Sequence, residues 1–488
     1  MQQLSALDTW FLHLENNRMP MHVGSLFIFA PDAPEKAFDF DEFKSFMQQR
    51  LHLSPVFRRR MVEVPLNLGR PFWVEDPFFN LDNHMLHVAL PKPASIRALV
   101  NLASQFYNPT MDRTRPMWKM VFITGLDDIE GLPPNAFAAL MIAHHANIDG
   151  MSGAEIMATI LDFSSQVSSI APPKEAWNPK PLPSYRELIG KSYTGTTEAP
   201  GKIFNILKST ATNALEVAWE SINSSLPTPP MVMTAPKTIL NKPVTPDKTF
   251  GAVDIPLKEI KKIKDAVGCK VNDVVLAICG AALRKYLLEK EELPEKPLVA
   301  MAPISVRSEA ENGTMGNRIS GMLVALGTDI EDPYERLLKV YENTQGAKNF
   351  SKATPVDQIV ELIPTEVGAM ATRFYTQMGL SNLHRPFFNV IITNVPGPPI
   401  PLYMNGFRIL NQYGLGVLFE GIGLMIVVFS YAGTLSICAT SCGSIMPDIG
   451  HFAKMIREGL HELEARLEEV QREETFFKKL EEKHAAKG

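Results

Sequence analysis

The stretch that decides the fold is "AFAALMIAHHANIDGMSGAE", residues 136–155. Its first eight residues are all apolar, which is typical of a strand buried on both faces. Farther along, Ser152 and Glu155 have the spacing of a capping box, and apolar residues follow at helical spacing. The stretch therefore predicts a buried strand, a short loop and a capped helix, which is an α/β pattern.

Two adjacent histidines, His144 and His145, end this strand, and Asp149 and Gly150 follow in the loop. Neighbouring side chains on an extended backbone point to opposite faces. We therefore expect one histidine to face a cavity and the other to pack or hydrogen-bond behind the strand, and we expect no shared metal ion. The backbone freedom of Gly150 would let Asp149 turn back under the loop and pair with an arginine.

Length and charge limit the class of protein. A chain of 488 residues is too long for one compact core, so two domains are expected. The net charge of -5 and the pI of about 6.2 lack the basic character that nucleic-acid binding requires, so no nucleic-acid partner is expected.

Cysteine usage and the N-terminus indicate the compartment. The four cysteines form neither a CxxC pair nor a Cys/His cluster, so no zinc site and no disulfide framework are predicted. Asp8 and Glu15 lie where a signal peptide would have a basic start and an apolar block. We therefore expect a cytoplasmic protein.

Proline-rich stretches mark a linker. Closely spaced prolines in "APPKEAWNPKPLPSY" and "SLPTPPMVMTAPKTILNKPVTPDK" continue neither a helix nor a central strand. They predict a linker over residues 166–246 between an N-terminal domain, 1–165, and a C-terminal domain, 247–488. Within the linker, residues 201–226 carry an apolar stripe at helical spacing. This amphipathic helix either packs across both domains or docks on a membrane or lipid inclusion.

An uncharged stretch, residues 421–446, is long enough to span a bilayer. Its runs "LMIVVFSY" and "TLSICAT" are short, β-rich and separated by "AG". That pattern favours two buried strands joined by a turn. Similarly, "FFNVIITNVPGPP" predicts a buried strand that runs into a loop.

Two helices are predicted in the C-terminal domain. The run "VNDVVLAICGAALRKYLLEK" indicates a helix that Asn272 is suited to cap. Near the C-terminus an apolar stripe at helical spacing predicts an amphipathic helix. Its members are Ile456, Leu460, Leu463, Leu467 and Val470.

The histidine loop favours general-base chemistry. "DGMSGAE" is not the GxSxG of a serine hydrolase, and no P-loop or GxGxxG lies nearby. A neutral histidine, with a free pKa of about 6.5, accepts a proton from a hydroxyl group. The activated alcohol then needs an electrophile that is already reactive, such as a thioester.

The histidine motif and several other stretches of the chain resemble those of a known family. "HHANIDG" matches the HHxxxDG motif of the coenzyme A-dependent acyltransferase superfamily. Further stretches resemble the bacterial wax ester synthase/acyl-CoA:diacylglycerol acyltransferase family over essentially the whole chain. They are "LSALDTWFLHLENNRMPMHVGSLFIF", "RPMWKM", "VNDVVLAICGAALRKYL", "MAPISVR", "MGNRIS" and "ITNVPGPPIPLYMNG". Met117 replaces the usual Leu of the Pro-Leu-Trp motif, a volume-conserving change.

The resemblance implies a fold and a catalytic base. The fold would be two chloramphenicol-acetyltransferase-like domains with mixed sheets and an active-site tunnel at their interface. His145 would be the general base, with His144 and Asp149 in support. Asp149 would pair with one residue of the run "RRR" at 58–60, and the sequence leaves open which one.

The resemblance also implies the substrates. Acyl-CoA would be a substrate, no cofactor would be permanently bound, and the acceptor would be a fatty alcohol or diacylglycerol. Asn272 is a candidate oxyanion donor, although an Asn at a helix start is equally expected to act only as a cap. Gly150 and Asn394 are candidate substrate contacts, and Asn394 has the alternative of shaping a proline-rich turn. Peripheral contact with a membrane or lipid inclusion is expected.

Two other functions stay open. One is a condensation-type acyltransferase that uses another acceptor. The absence of a carrier or adenylation module from this sequence counts against this alternative. The other is a non-catalytic protein that binds lipid inclusions, for which a positioned base would have no use.

Overall fold

The computed structural model describes residues 1–33, 35–148, 153–194, 230, 234–305, 319–351 and 384–485. Asp149, Gly150, Ser152 and the amphipathic helix expected over 201–226 lie outside these residues. Within the described residues the strands form two six-stranded mixed sheets and one three-stranded sheet. This architecture agrees with the mixed α/β class expected from the sequence.

The first six-stranded sheet, the N-terminal sheet, has the strand order β12-β13-β2-β7-β6-β5. Its strands are β2 (His22–Pro31), β5 (Met85–Ala89), β6 (Trp118–Thr124), β7 (Phe137–His144), β12 (Tyr403–Met404) and β13 (Phe407–Leu415). The small sheet contains β1 (Gln2–Gln3), β3 (Arg59–Val62) and β4 (Phe72–Glu75). Helices of this half are α1 (Ala6–Leu14), α2 (Phe40–Arg50), α3 (Ile96–Tyr107), α4 (Gly153–Ile160) and α5 (Tyr185–Thr194).

The predicted buried strand is β7, and the prediction is confirmed. It lies between β2 and β6, so its backbone is hydrogen-bonded on both sides. Phe137 and Ala139 pack into an aromatic-rich cluster on one face of the sheet. Leu140 and Ile142 pack into a second cluster on the other face. Burial on both faces explains why this strand is continuously apolar instead of alternating.

The second six-stranded sheet, the C-terminal sheet, has the order β10-β9-β11-β14-β15-β8. Its strands are β8 (Lys248–Pro256), β9 (Val299–Ser305), β10 (Ile319–Ala325), β11 (Val390–Pro396), β14 (Leu424–Tyr431) and β15 (Thr434–Cys442). The helices of this half are α6 (Leu257–Val267), α7 (Val271–Glu289), α8 (Pro333–Ser351) and α9 (Ile449–Ala485).

The uncharged stretch over 421–446 forms two antiparallel strands, β14 and β15, as predicted. Ala432 and Gly433 join them with φ angles of 45° and 86°. Two consecutive left-handed residues are typical of the tight turn that matches strand twist. The predicted strand before "PGPP" is likewise confirmed as β11.

The two halves interlock through β12 and β13. These strands follow β11 in the chain but join the N-terminal sheet, where β13 pairs with β2. A Cβ atom on Gly414 would lie 2.4 Å from the Val427 side chain, and one on Gly416 would lie 2.4 Å from that of Met425. Glycine at these two positions therefore allows β13 to approach β14 of the other sheet closely.

Helix α7 forms as predicted, but Asn272 does not cap it. The helix begins at Val271, and Lys270 is the N-cap residue, with an extended backbone. Asn272 lies inside the first turn, and the neighbouring Asp273 accepts the Lys270 N–H at 2.9 Å. The prediction was wrong because the capping carboxylate lies three residues after the cap, which moves the helix start ahead of Asn272.

One apolar core unites most of the C-terminal half. It includes α7 and the buried side of α9, where Ile456, Leu460, Leu463 and Leu467 are buried as predicted and Val470 is half-buried. Met19 and Met21, from the N-terminal end of the chain, also belong to this core. The segment before β2 is therefore anchored in the opposite half.

None of the described helices is long and apolar enough to cross a bilayer alone. Helices α6 and α7 together have the length and composition, with a bend of 104° between them. The four cysteines are buried and unbonded to one another.

Candidate active site

The two histidines lie where the central strand of the N-terminal sheet ends. His144 is the last residue of β7, and His145 begins a 3-10 helix over His145–Ile148. The His144 N–H donates to the Met117 carbonyl at 3.0 Å, and the His145 N–H donates to the Met21 carbonyl at 2.8 Å. Neighbouring strand segments thus fix the backbone of both residues.

His144 is fully buried and hydrogen-bonded to its own loop. Its Nδ1 accepts the Ala146 N–H at 3.1 Å. A nitrogen that accepts carries no proton, so the neutral ring is protonated at Nε2. That Nε2 lies 3.4 Å from Glu15 Oε1, a carboxylate that is itself buried.

Glu15 is also held by an arginine and by the backbone. Its Oε2 accepts from Arg113 Nε at 3.0 Å and from Nη2 at 2.8 Å, and its Oε1 accepts the Met21 N–H at 3.2 Å. Burial raises the pKa of this carboxyl, but the contacts with His144 and Arg113 outweigh burial and lower the pKa to about 2. Glu15 is therefore ionised at any working pH.

His145 has different surroundings. It is half-buried, and its ring stacks on Phe11 of α1 with 3.9 Å between ring centroids and 20° between planes. The expectation of opposite faces rested on an extended backbone, whereas His145 has already turned into the 3-10 helix. The two rings nevertheless occupy separate environments.

Arg59 holds the loop from the other side. Its Nε donates to Asn147 Oδ1 at 3.2 Å and its Nη2 donates to the Asn147 carbonyl at 2.8 Å. Its guanidinium also lies over the Trp73 ring, 4.4 Å from the centroid. Of the three candidate arginines, Arg59 is the one that these contacts join to the motif loop.

A second buried histidine faces the first across the sheet. His22 of β2 is the cross-strand partner of His144, and its Nε2 donates to the Tyr107 carbonyl. Burial is the main reason that its pKa falls to about 4. The Tyr107 hydroxyl lies within hydrogen-bond distance of the carbonyl oxygens of His22 and Gly416, at 3.1 and 3.0 Å.

The segment Glu15–His22 joins this network to the C-terminal half. The buried Lys248, on β8, donates to the Arg18 carbonyl at 2.7 Å. Burial lowers the pKa of this amine to about 8. The backbone that holds His145 is therefore tied to both halves of the molecule.

The other predicted site residues lie in the C-terminal half. Asn272 is half-buried in the first turn of α7, and Asn394 is half-buried within β11, paired with Val428 instead of shaping a turn. Among the described residues, no group of three or more His, Cys, Asp or Glu side chains is arranged to hold a metal ion.

Sequence reasoning assigned no role to Glu15, Arg113 or Asn147. In the sequence Glu15 is an isolated acidic residue near the N-terminus, and Asn147 is a variable position of the motif. The contacts of Glu15 with Arg113 and His144 join positions about 100 or more residues apart in the chain. No local pattern reports such a contact.

Two interlocked mixed sheets, with the loop of the HHxxxDG motif at the end of a central strand, define the two-domain fold of this chain. The starter condensation domain of rhizomide synthetase shares this fold, with a TM-score of 0.54 and 14% identity over 95% of this chain and 94% of that one.

Comparison of the sequence narrows the class. Residues 4–275 match the wax ester synthase/diacylglycerol acyltransferase catalytic domain, and residues 315–464 match the C-terminal domain of the same family. The O-acyltransferase WSD of Acinetobacter baylyi is 32% identical, over 94% of this chain and 96% of that protein. The wax ester synthase/diacylglycerol acyltransferase structure from Marinobacter aquaeolei VT8 has a TM-score of 0.67 and 29% identity, covering 96% and 100%. The chain belongs to this family and is an O-acyltransferase.

Proposed function

We propose that the protein transfers a long-chain acyl group from acyl-CoA to a hydroxyl group, with His145 as the general base. The observation that carries this proposal is the contrast between the two histidines. Both nitrogens of His144 face groups inside the protein, and its ring is fully buried. His145 is half-buried at the end of the strand, so its ring is the one that we expect to meet a substrate.

The chemistry requires only this one base. Neutral His145 accepts the proton of the acceptor hydroxyl, and the oxygen attacks the thioester carbonyl carbon. The tetrahedral intermediate collapses as the carbon–sulfur bond breaks, and the departing thiolate takes the proton back from the imidazolium. Acyl-CoA is thus a substrate, and no permanently bound cofactor is needed.

We assign Asp149 to pair with Arg59 and to hold the loop. The support is that Arg59 already bonds Asn147, which lies two residues before Asp149. Arg58 instead lies over the Trp177 ring, 4.9 Å from its centroid, and within the described part of the chain the Nε atoms of Arg58 and Arg60 have no hydrogen-bond partner. His144 supports the loop by accepting the Ala146 N–H.

We assign the oxyanion donor to Asn272, and substrate contacts to Gly150 and Asn394. The helix cap formed by Lys270 and Asp273 leaves the Asn272 amide out of capping, which supports a role in binding. An oxyanion donor contributes about 3 kcal/mol when well placed. These residues, together with His145, would line a tunnel between the two halves.

The acceptor is a long-chain fatty alcohol or diacylglycerol, and the products are wax esters or triacylglycerols. Each methylene buried in an apolar tunnel contributes about 0.8 kcal/mol, which favours long chains. Such apolar products suit a cytoplasmic enzyme in peripheral contact with the inner membrane or lipid inclusions. Exposed Leu66 and Leu68, 89% and 49% accessible, are apolar groups available for that contact.

The test measures thiol release from palmitoyl-CoA with hexadecanol, with a diacylglycerol and with no acceptor. The variants are His145→Ala and, as a matched control, His461→Ala on the exposed side of α9. We expect acceptor-dependent release that falls about a thousandfold in His145→Ala and stays unchanged in His461→Ala. The faster acceptor identifies the physiological class.

Three other results would replace the proposal. Equal release without an acceptor would identify a thioesterase. Release that requires an amine instead of an alcohol would indicate condensation-type chemistry. Lipid binding without any thiol release would indicate a non-catalytic protein of lipid inclusions, and wild-type activity in His145→Ala would remove the proposed base.

A further inference from the structure

Glu15 is a buried carboxylate next to the histidine pair, and several groups hold it in place. Glu15 follows the last residue of α1, and its side chain is only 4% exposed. Its oxygens accept from Arg113, accept the Met21 N–H and face His144. We infer that Glu15, held by Arg113, is a positioning residue that sets the orientation of the catalytic base and acts through His144. This inference rests on the proposed role of His145.

The first step concerns the ring of His144. Its Nδ1 is occupied by the Ala146 N–H, so the proton of the neutral ring lies on Nε2, which faces Glu15 Oε1. Within the described residues this Nε2 makes no hydrogen bond, so its 3.4 Å contact with Glu15 is electrostatic. Without the carboxylate, the buried Nε2–H would lose the negative charge that it faces, and the ring would gain by turning away or by changing tautomer. Either change releases the Ala146 N–H.

The second step leads to the backbone of His145. Ala146 is the residue directly after His145, so a hydrogen bond lost at Ala146 loosens the turn that presents the base. On the other side, Glu15 Oε1 also accepts the Met21 N–H, and the Met21 carbonyl accepts the His145 N–H. The Glu15 carboxylate therefore acts on the backbone around His145 in two ways, on Ala146 through the His144 ring and on Met21 directly. Small displacements of a catalytic group cost large factors in rate.

Arg113 explains how a charge is tolerated here. Its guanidinium binds Glu15 Oε2 through two nitrogens, and Nη2 also donates to the Leu12 carbonyl at 2.6 Å. The arginine thereby fixes the carboxylate relative to α1, the helix that also supplies Phe11 against the His145 ring. Helix α1 and the residue that follows it thus supply two groups beside the histidine pair, the Phe11 ring and the Glu15 carboxylate.

The experiment compares kcat and KM for palmitoyl-CoA and hexadecanol in Glu15→Gln, Glu15→Ala and Arg113→Met. Glutamine keeps the shape and an acceptor for the Met21 N–H, so this variant is expected to fold. We expect kcat to fall about tenfold in Glu15→Gln and Arg113→Met and about a hundredfold in Glu15→Ala, with both KM values within about twofold. The control is Glu420→Gln, a carboxylate equally buried beside Arg18 at 3.8 Å, which should leave kcat unchanged.

A double-mutant cycle tests the route through His144. If Glu15 acts through that ring, adding Glu15→Gln to His144→Ala should lower kcat by less than twofold further. Nitrogen-15 spectra of the histidine rings provide a readout that needs no turnover. They should show His144 protonated at Nε2 in the wild type, and a different state in Glu15→Ala.

Each outcome decides a different point. Three results would overturn the positioning role. They are a double variant in which the kcat losses of Glu15→Gln and His144→Ala multiply, a Glu15 variant in which only KM changes, and an unchanged protonation state of the His144 ring in Glu15→Ala. A changed His144 ring together with wild-type activity in His145→Ala would instead show that Glu15 positions His144 but that the proposed base is wrong. A collapse in His145→Ala with normal kcat in Glu15→Gln and Glu15→Ala would keep the base and reject the inference.

Discussion

The two halves of the molecule are built alike and used differently. Each has a six-stranded mixed sheet covered by helices. In the C-terminal half most of the buried apolar residues form one core, whereas those of the N-terminal half are divided among several clusters. The fully buried histidines of the described residues, His22, His84 and His144, all lie in the N-terminal half.

The difference shows which of the two similar halves carries the buried polar groups. The N-terminal half buries ion pairs, Arg50 with Asp162 and Glu15 with His144, among its apolar clusters. Polar groups in such surroundings have defined partners and defined directions, which a catalytic loop requires. The N-terminal half should therefore be sensitive to charge and pH, and the C-terminal half to volume.

The tryptophans make the comparison measurable. Trp10, Trp73 and Trp118 lie in the N-terminal half, Trp177 and Trp219 lie in the linker, and the C-terminal half has no tryptophan. A fluorescence change therefore reports on the N-terminal half and the linker, whereas far-ultraviolet circular dichroism reports on both halves. Differences between the two signals assign an effect to one half.

The largest expected effect on stability is at Arg50. Its Nη2 lies 3.2 Å from both oxygens of Asp162, and both side chains are buried. Arg50→Met leaves that carboxylate without its partner and should destabilise the N-terminal half by about 3–5 kcal/mol in urea denaturation followed by fluorescence. Adding Asp162→Leu should recover most of the loss. If the single and double variants are equally unstable, the charge is not the cause.

The next effect is a loss of stability in acid. Burial lowers the pKa of His22 from 6.5 to about 4, so the unfolded chain binds a proton that the folded chain does not. The stability contributed by the neutral ring is fully present above pH 6.5 and is lost as the pH falls toward 4, by roughly 3 kcal/mol. Burial also lowers the pKa of His84, so this histidine contributes to the same loss of stability in acid.

His22→Gln should remove much of this acid sensitivity. The expected result is a fluorescence midpoint that changes less between pH 6.5 and pH 4 than in the wild type. The pKa of Glu15 is lowered from 4.5 to about 2, so its own contribution is lost between these pH values, mostly below the window of His22. Equal acid sensitivity in the variant and the wild type would contradict the comparison.

The smallest effect tests volume in the C-terminal half. A Cβ atom on Gly280 of α7 would lie 2.5 Å from the Leu326 carbonyl oxygen. Gly280→Ala should therefore destabilise by about 1–3 kcal/mol, seen in circular dichroism before fluorescence. Gly190→Ala in α5, where nothing lies within 4 Å, should instead stabilise by about 0.5–1 kcal/mol. A stabilised Gly280→Ala would show that the core can shift.

Local patterns were enough to predict much of the fold. Continuous apolar runs marked β7, β14 and β15, because burial on both faces removes the polar alternation. The spacing of apolar residues marked α9. The membership of β13 in the N-terminal sheet could not be read, because only the pairing with β2 determines it.

The site was less readable than the fold. The motif identified the loop and the histidine pair, but the ring environments depend on Glu15 and Arg113, which meet His144 only after folding. The sequence predicted Asn272 as the N-cap of α7, whereas it lies in the first turn of the helix. The position of the cap depends on the buried Asp273, whose carboxylate accepts the Lys270 N–H and the Thr344 hydroxyl.

The central claim is that the two adjacent histidines have different tasks. The most direct measurement is acceptor-dependent kcat in His145→Asn and His144→Asn, side by side. In His144→Asn the amide oxygen can still accept the Ala146 N–H, so kcat should fall only about tenfold. In His145→Asn the base is lost, and kcat should fall about a thousandfold. Equal losses, or the larger loss at His144, would contradict this division of roles.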